Sequence, residues 1–370
     1  MPVLPPFRLE RYFARYEFSA PYSLSSSDCE SLRQEELLAM ADPETAGLWS
    51  QLGLGYTESA GHPLLRKEIA GLYTTINPNQ TLVLAPEEGV FIAMTALLGP
   101  EDEVVAIQPA YQSLHEIARW IGCRLIAWPL IPIQRGWRID LERLESSLGP
   151  RTRMLVLNFP HNPTGCQPSR AELNSILELA SRRELYVFSD EMYRLLEYDP
   201  SQRLPAVCDQ YERAVSLSGL SKAFGCPGLR IGWLATRAPG LIERFQVLRD
   251  YTTICSSAPS EILALIALRA REGILQRNRA IVRDNLEAAG NFFARHPGSF
   301  EWLPPQAGSV AFPRWLGDGS LENFCTAAVE RQGVMIAPGS LFDFPGGYFR
   351  LGMGRKNLPE ALQRVERLLS

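Results

Sequence analysis

"SLSGLSKAFGCPGLRIGW", residues 216–233, runs from a short apolar segment through a turn of small residues into a second apolar segment, with Lys222 at the junction. Lys222 is one of three lysines among 37 basic side chains, and Arg230 follows eight places on. An amine can lose its proton and attack a carbonyl, which a guanidinium cannot, so an ammonium kept in an arginine-writing chain reads as amine chemistry. The flanking runs, "AVSLS" (214–218) and "RIGWLA" (230–235), have the length of strands. Lys222 therefore falls at a strand end.

The same rhythm extends outward. "TLVLA" (81–85), "EVVAI" (103–107), "RLIAW" (124–128), "RMLVLNF" (153–159) and "LYVFSD" (185–190) are further apolar runs, separated by helical segments such as "GVFIAMTALL" and "RAELNSILELASRREL". Seven such runs predict an α/β fold whose sheet is mostly parallel and covered on both faces. Beyond about residue 240 helical patterns dominate, and "SVAFPRW", "GVMIAPG" and "YFRLGMG" suggest a smaller α+β unit closed by "LPEALQRVERLLS". The expected division is a large domain over 30–275, with an N-terminal arm (1–29) and residues 276–370 forming the small domain, joined by a long helix. Within the large domain "HPLLRKEIAGLY" reads as a helix with proline in its first turn.

Composition narrows the function classes. The 370 residues are 46% hydrophobic, with 37 basic and 41 acidic side chains giving a net charge of −4 and no basic tract. Neither nucleic acid nor an anionic membrane is an evident partner. No apolar run is long enough to span a bilayer, and the N-terminal stretch lacks the apolar core of a secretion signal, so the expected location is the cytoplasm. Seven scattered cysteines and four dispersed histidines favour free thiols and no metal centre.

Ligands of open α/β sheets sit at the carboxyl ends of strands. Here those ends carry Tyr111, Asn162, Asp190, Tyr193 and Lys222. A carboxylate buried there must find a cation or hydrogen-bond donors. Two readings satisfy it. Asp190 and Lys222 form a structural ion pair, or the groups share a ligand: a pyridinium nitrogen on Asp190, a ring phenolate on Asn162 and Tyr193, a ring face on Tyr111 and an aldehyde condensed with Lys222.

The second reading coincides with a resemblance. "GYTESAGHPLLRKEIA" (55–70), "QPAYQSLHEIA" (108–118), "NFPHNPTG" (158–165), "SDEMY" (189–193), "SKAFGCPGLRIGW" (221–233) and "FRLGMG" (349–354) resemble, in order, the motifs of the fold-type I, class I/II aminotransferases that use pyridoxal 5′-phosphate (PLP). The resemblance implies Lys222 as the residue bonded to the cofactor, Asp190 at its ring nitrogen, and Asn162 and Tyr193 at its ring oxygen. It implies Tyr111 as the stacking ring, Arg230 on the phosphate, Tyr56 reaching a neighbouring subunit's phosphate, and Arg350 on the substrate α-carboxylate. It also implies a homodimer with shared sites, acting on an amino acid and a 2-oxo acid.

The chain departs from the family pattern twice. "APEEGVF" (85–91) places Glu87 and Glu88 at a helix start where relatives carry small hydroxyl residues, so these carboxylates must point away from a phosphate or be neutralised. Gly219 stands where relatives have a phosphate-binding Ser or Thr, leaving Ser218 and Ser221 as substitutes. The expected activity is aminotransfer from an α-amino acid to a 2-oxo acid. The alternatives are a PLP-dependent lyase, decarboxylase or oxidase acting on an amino acid, with a basic one suggested by Asp28, Glu58, Glu87 and Glu88, and a non-catalytic PLP-binding regulator. His161, in the "FPHNPTG" turn, reads as a shaper of that turn ahead of a catalytic base.

Overall fold

All seven apolar runs are strands of one sheet in a computed structural model that describes residues 3–369. They are β1 (Thr81–Leu84), β2 (Glu103–Gln108), β3 (Arg124–Pro129), β4 (Thr152–Asn158), β5 (Tyr186–Asp190), β6 (Ala214–Gly219) and β7 (Gly232–Ala235). Their order across the sheet is β1-β7-β6-β5-β4-β2-β3. Only β7 runs against its neighbours. The central strands are continuous apolar runs because helices cover both faces, leaving no solvent face to demand alternation; in β4 Met154 through Asn158 are all buried.

Three helices bear on the site. α1 (Arg8–Tyr16) arises from the arm, α2 (Pro86–Leu97) follows β1, and α3 (Ser113–Ile121) follows β2. Proline at the first position of α2 is tolerated because that N–H would lie outside the helical ladder. α2 packs on β6, β7 and α3. A single 25-residue helix, α4 (Arg271–Arg295), spans the 275/276 boundary expected between the domains and leads into the C-terminal unit.

That unit is built on a three-stranded antiparallel sheet in which Phe349–Gly352 lies between Val310–Ala311 and Ala337–Pro338. The arm joins it: Tyr22–Ser23 pairs in parallel with Val334–Met335. The glycines of "FRLGMG" then let the arm cross close by. A Cβ on Gly352 would collide with the Ser26 carbonyl, and one on Gly354 with that of Asp28. Their absence of side chains brings Ser27 and Asp28 to the end of the lysine strand.

The seven cysteines are free. Among the described residues no helix is long and apolar enough to cross a membrane.

Candidate active site

The lysine turn lies just beyond β6. Its amine donates to Ser27 Oγ at 2.9 Å, and the Cys29 amide bonds the Lys222 carbonyl at 3.2 Å, so the arm is stitched to the lysine from both sides. Burial pushes the Lys222 pKa down, with Asp28 opposing and Arg350 assisting. A lowered amine pKa favours the neutral nucleophile.

Asp190 ends β5 in the next strand. One carboxylate oxygen accepts the Met192 amide at 3.1 Å. Burial pushes its pKa up to about 7; the Met192 amide and Lys222 act against the rise, and Glu87 adds to it. Such a carboxyl is short of positive charge. Tyr193 follows in the same turn, 2% exposed, and its hydroxyl has no hydrogen-bond partner. Ser27 lies near enough to ease the burial-raised phenol pKa without completing a bond of good geometry.

The "NFPHNPTG" turn delivers Asn162 by bonding to itself. The Asn162 amide donates to Asn158 Oδ1 at 2.8 Å, Asn158 Nδ2 donates to the Asp190 carbonyl at 3.0 Å, and His161 Nδ1 meets Thr164 Oγ1 at 2.8 Å. His161 is buried, and burial drives its pKa to about 3. It is a neutral brace for the turn.

Arg350 reaches the pocket from the small domain. It is 2% exposed, donates from Nε to the Ser25 carbonyl at 3.0 Å and from a terminal nitrogen to Asn162 Oδ1 at 3.2 Å, and lies between the rings of Phe13 and Phe342, at 5.5 and 5.2 Å. It has no carboxylate partner among the described residues, an arrangement that leaves a buried guanidinium fork for one.

Of the other expected site residues, Tyr111 is partly buried, with its ring 4.8 Å from Phe7 and its hydroxyl donating to Glu10 at 2.7 Å. Ser221 is buried, and its hydroxyl has no partner. Ser218 is partly buried at the end of β6. Arg230 is exposed, adopts φ of 55°, and donates to the Pro227 carbonyl at 3.1 Å. Tyr56 is 91% exposed, and its side chain makes no hydrogen bond among the described residues.

Glu87 and Glu88 part company. Glu88 accepts from Thr252 and, at 2.8 Å, from Thr253, which directs it away from the pocket. Glu87 stays inside, where burial raises its pKa, Ser113 and Arg230 lower it, and Glu10 raises it further. The start of α2 carries no side-chain cap, so its free N–H groups remain available to an anion. The glycine at 219 has a steric cause: a Cβ there would come within 3.0 Å of Gly232 Cα and 3.1 Å of the Ile231 carbonyl. A hydroxyl residue there would press on the backbone at the start of the antiparallel β7.

Sequence reading missed Ser27, which nothing local announces, and Phe13 and Glu10. The signal for the last two lay in "RLERYFARYEF" (8–18), where Leu9, Tyr12, Phe13 and Tyr16 recur at helical spacing. Outside the pocket, His115 Nε2 lies 3.4 Å from carboxylate oxygens of both Glu116 and Asp343. Those carboxylates are already engaged by Arg119 and Arg8, so the cluster reads as a charge bridge joining α1, α3 and the small domain.

A lysine beyond β6, a buried carboxylate ending β5 and an amide turn after β4, on a seven-stranded sheet with one antiparallel strand, define the architecture of fold-type I PLP-dependent enzymes. The chain belongs to the aminotransferase class I and II family, whose model matches residues 23–365. It is 31% identical to capreomycidine synthase of Streptomyces vinaceus over 352 residues, 92% of this chain and 87% of that one. The crystal structure of a PLP-dependent aminotransferase from Streptococcus suis superposes with a TM-score of 0.92 at 31% identity, covering 99% of this chain and 98% of that one. A PLP-dependent cyclase gives a TM-score of 0.91 at 27% identity, covering 100% and 98%.

Proposed function

We propose that the protein is a PLP-dependent aminotransferase that moves an amino group from an α-amino acid to a 2-oxo acid. The observation that carries the reading is the convergence of a depressed-pKa amine, Lys222, a buried carboxyl short of positive charge, Asp190, and a buried guanidinium without a carboxylate, Arg350. The unpartnered hydroxyls of Tyr193 and Ser221 support the fit, since a bound ring oxygen and phosphate would supply their missing partners.

When bound, PLP draws electron density from the substrate Cα. In this reading Lys222 would hold the cofactor aldehyde, and its amine would be the group that holds and moves the substrate Cα proton. Asp190 would keep the ring nitrogen protonated. Asn162 and Tyr193 would hold the ring oxygen, and Tyr111 would cover the ring face. Ser218, Ser221, Arg230 and the opening N–H groups of α2 would hold the phosphate, with Glu87 tolerated through its raised pKa and Glu88 drawn off by Thr252 and Thr253. Arg350, spread between Asn162 and the Ser25 carbonyl, orients the α-carboxylate.

A homodimer completes the proposal. Leu54 and Tyr56 are 86% and 91% exposed, and Val247 and Tyr251 60% and 87%. The loop that carries Leu54 and Tyr56 is tied to the end of the helix Leu241–Arg249 and the segment after it by Thr57 bonding the Ser256 carbonyl at 3.1 Å and Arg249 bonding the Ser59 carbonyl. Neighbouring exposed apolar side chains of this size mark an interface, and a second subunit seated there would receive Tyr56.

That similar proteins include a capreomycidine synthase and a PLP-dependent cyclase keeps open PLP chemistry other than aminotransfer, and the second reading is a PLP-dependent lyase, decarboxylase or oxidase acting on an amino acid. Incubating the PLP-loaded protein with single amino acids, with and without a 2-oxo acid acceptor, separates the two. One equivalent of oxo acid per site without acceptor, and continued turnover with it, supports aminotransfer. Sustained turnover without acceptor, releasing ammonia, carbon dioxide or an oxidised product, supports the second.

A further inference from the structure

The Lys222 amine meets a hydroxyl where a carboxylate was open to it. The ion pair with Asp190 that the sequence allows is not formed among the described residues: Asp190 accepts from the Met192 amide, and Asp28 is paired with Arg355 at 2.7 Å. The amine donates instead to Ser27 Oγ at 2.9 Å. The difference matters to a group that must lose and regain a proton. A carboxylate at that distance would hold it as the ammonium, whereas a hydroxyl fixes its position with far less bias toward the charged form.

Ser27 is itself held, and by its backbone alone. It is 7% exposed, and its carbonyl accepts from the fully buried Ser309 Oγ at 2.7 Å. The Cys29 amide, two residues on, bonds the Lys222 carbonyl at 3.2 Å. Ser26 and Asp28, on either side of it, cross so close to Gly352 and Gly354 that neither glycine has room for a Cβ. Two residues earlier the same segment takes hold of Arg350: the Ser25 carbonyl accepts from Arg350 Nε at 3.0 Å, and the Ser25 hydroxyl donates to the Arg350 carbonyl at 2.8 Å. Residues 25–29 therefore set the spacing between the guanidinium and the amine. Under the function proposed above, on which this inference rests, those two groups serve the α-carboxylate and the Cα proton of one substrate, and proton transfer is efficient only between atoms held within hydrogen-bond reach.

We propose that Ser27 is a positioning residue for Lys222, its hydroxyl holding the amine in place whenever that amine is not bonded to the cofactor. Ser27 acts through the lysine, so its loss would slow the proton step and spare substrate binding. An alanine there would keep every backbone bond of the segment, because the hydroxyl bonds only the amine.

Ser27→Ala and Ser27→Thr separate this role from a structural one. The first readout uses the cofactor-free protein. The chain has three lysines, Lys67, Lys222 and Lys356, so competitive acylation by acetic anhydride across a pH series, read by mass spectrometry, follows Lys222 against two internal references. A hydroxyl oxygen accepts more strongly from an ammonium than from an amine. Ser27→Ala should therefore move the Lys222 midpoint down, relative to Lys67 and Lys356, by about half to one pH unit; Ser27→Thr, which keeps the oxygen, should follow the wild type. The second readout uses PLP-loaded protein in deuterium oxide with single amino acids and no acceptor. Exchange of the substrate Cα proton should slow at least about tenfold in Ser27→Ala, with the half-saturating amino-acid concentration within about twofold, and should recover in Ser27→Thr. An unshifted Lys222 midpoint, or Cα exchange as fast in Ser27→Ala as in the wild type, overturns the inference. A shifted midpoint in a protein that exchanges the Cα proton of no amino acid supports the hold on the amine and overturns aminotransfer.

Discussion

Replacing Asp190 by asparagine is expected to stabilise the cofactor-free protein above neutral pH. The native carboxyl titrates near 7, against 3.8 for an ordinary aspartate, because burial penalises its charge. Between those values the native state binds more protons than the unfolded chain, so this group's contribution to stability is complete below about pH 4 and is lost as pH rises to 7. From pH 5 to pH 8 the loss comes to about 3 kcal/mol at 1.36 kcal/mol per unit. With an unfolding entropy of about 2.1 cal/mol/K per residue, a chain of this size converts that to a fall of about 3–4 °C in Tm. Melting curves of the cofactor-free wild type and Asp190→Asn, recorded at pH 5, 6, 7 and 8, isolate the effect from other groups with raised pKa. The wild type should lose that much more than the variant over the series. Adding PLP should remove the wild type's excess loss, because a protonated ring nitrogen gives the carboxylate its counter-charge. Parallel pH profiles for the two cofactor-free proteins would refute the reasoning.

Lys222→Ala should leave the protein folded yet abolish the borohydride-reducible linkage to PLP and nearly all turnover; an unchanged reducible linkage would displace Lys222 from its role. Gly219→Ser should destabilise by about 1–3 kcal/mol, read as lowered Tm, because its Cβ meets Gly232 Cα at 3.0 Å and the Ile231 carbonyl at 3.1 Å, neither of them able to swing aside. Arg350→Lys should lower kcat/KM for α-amino acids by 10-fold or more, about 1.5–3 kcal/mol, since an ammonium cannot reproduce the planar fork. Tyr56→Phe should weaken PLP retention on dialysis without dissociating the dimer, whereas Leu54→Glu should shift the sedimentation coefficient toward a monomer.

The strands were legible because their determinants are local. Each central strand is buried on both faces, so it is written as an unbroken apolar run, and the polar residue that ends the run falls at the ligand edge of the sheet. Lys222, Asp190 and Asn162 could therefore be placed together from sequence. Arg350 was placed only through the family resemblance: its partner Asn162 is 188 residues away, and nothing local announces that meeting.

Tertiary structure decided the rest. Glu87 and Glu88 are adjacent and chemically alike, yet one faces the pocket and the other is drawn off by Thr252 and Thr253, because successive residues on a helix point about 100° apart and the loop supplying those hydroxyls arrives from 164 residues on. Gly219 became intelligible only once β7 was seen to run antiparallel beside it. The N-terminal arm is the strongest case. The helical period of α1 is written in residues 8–18, but its neighbours are settled only when Gly352 and Gly354 let the arm cross close by and Tyr111, Ile336 and Arg350 receive Glu10, Tyr12 and Phe13. Periodicity records which face of an element is buried, whereas the neighbour that buries it is chosen by long-range packing.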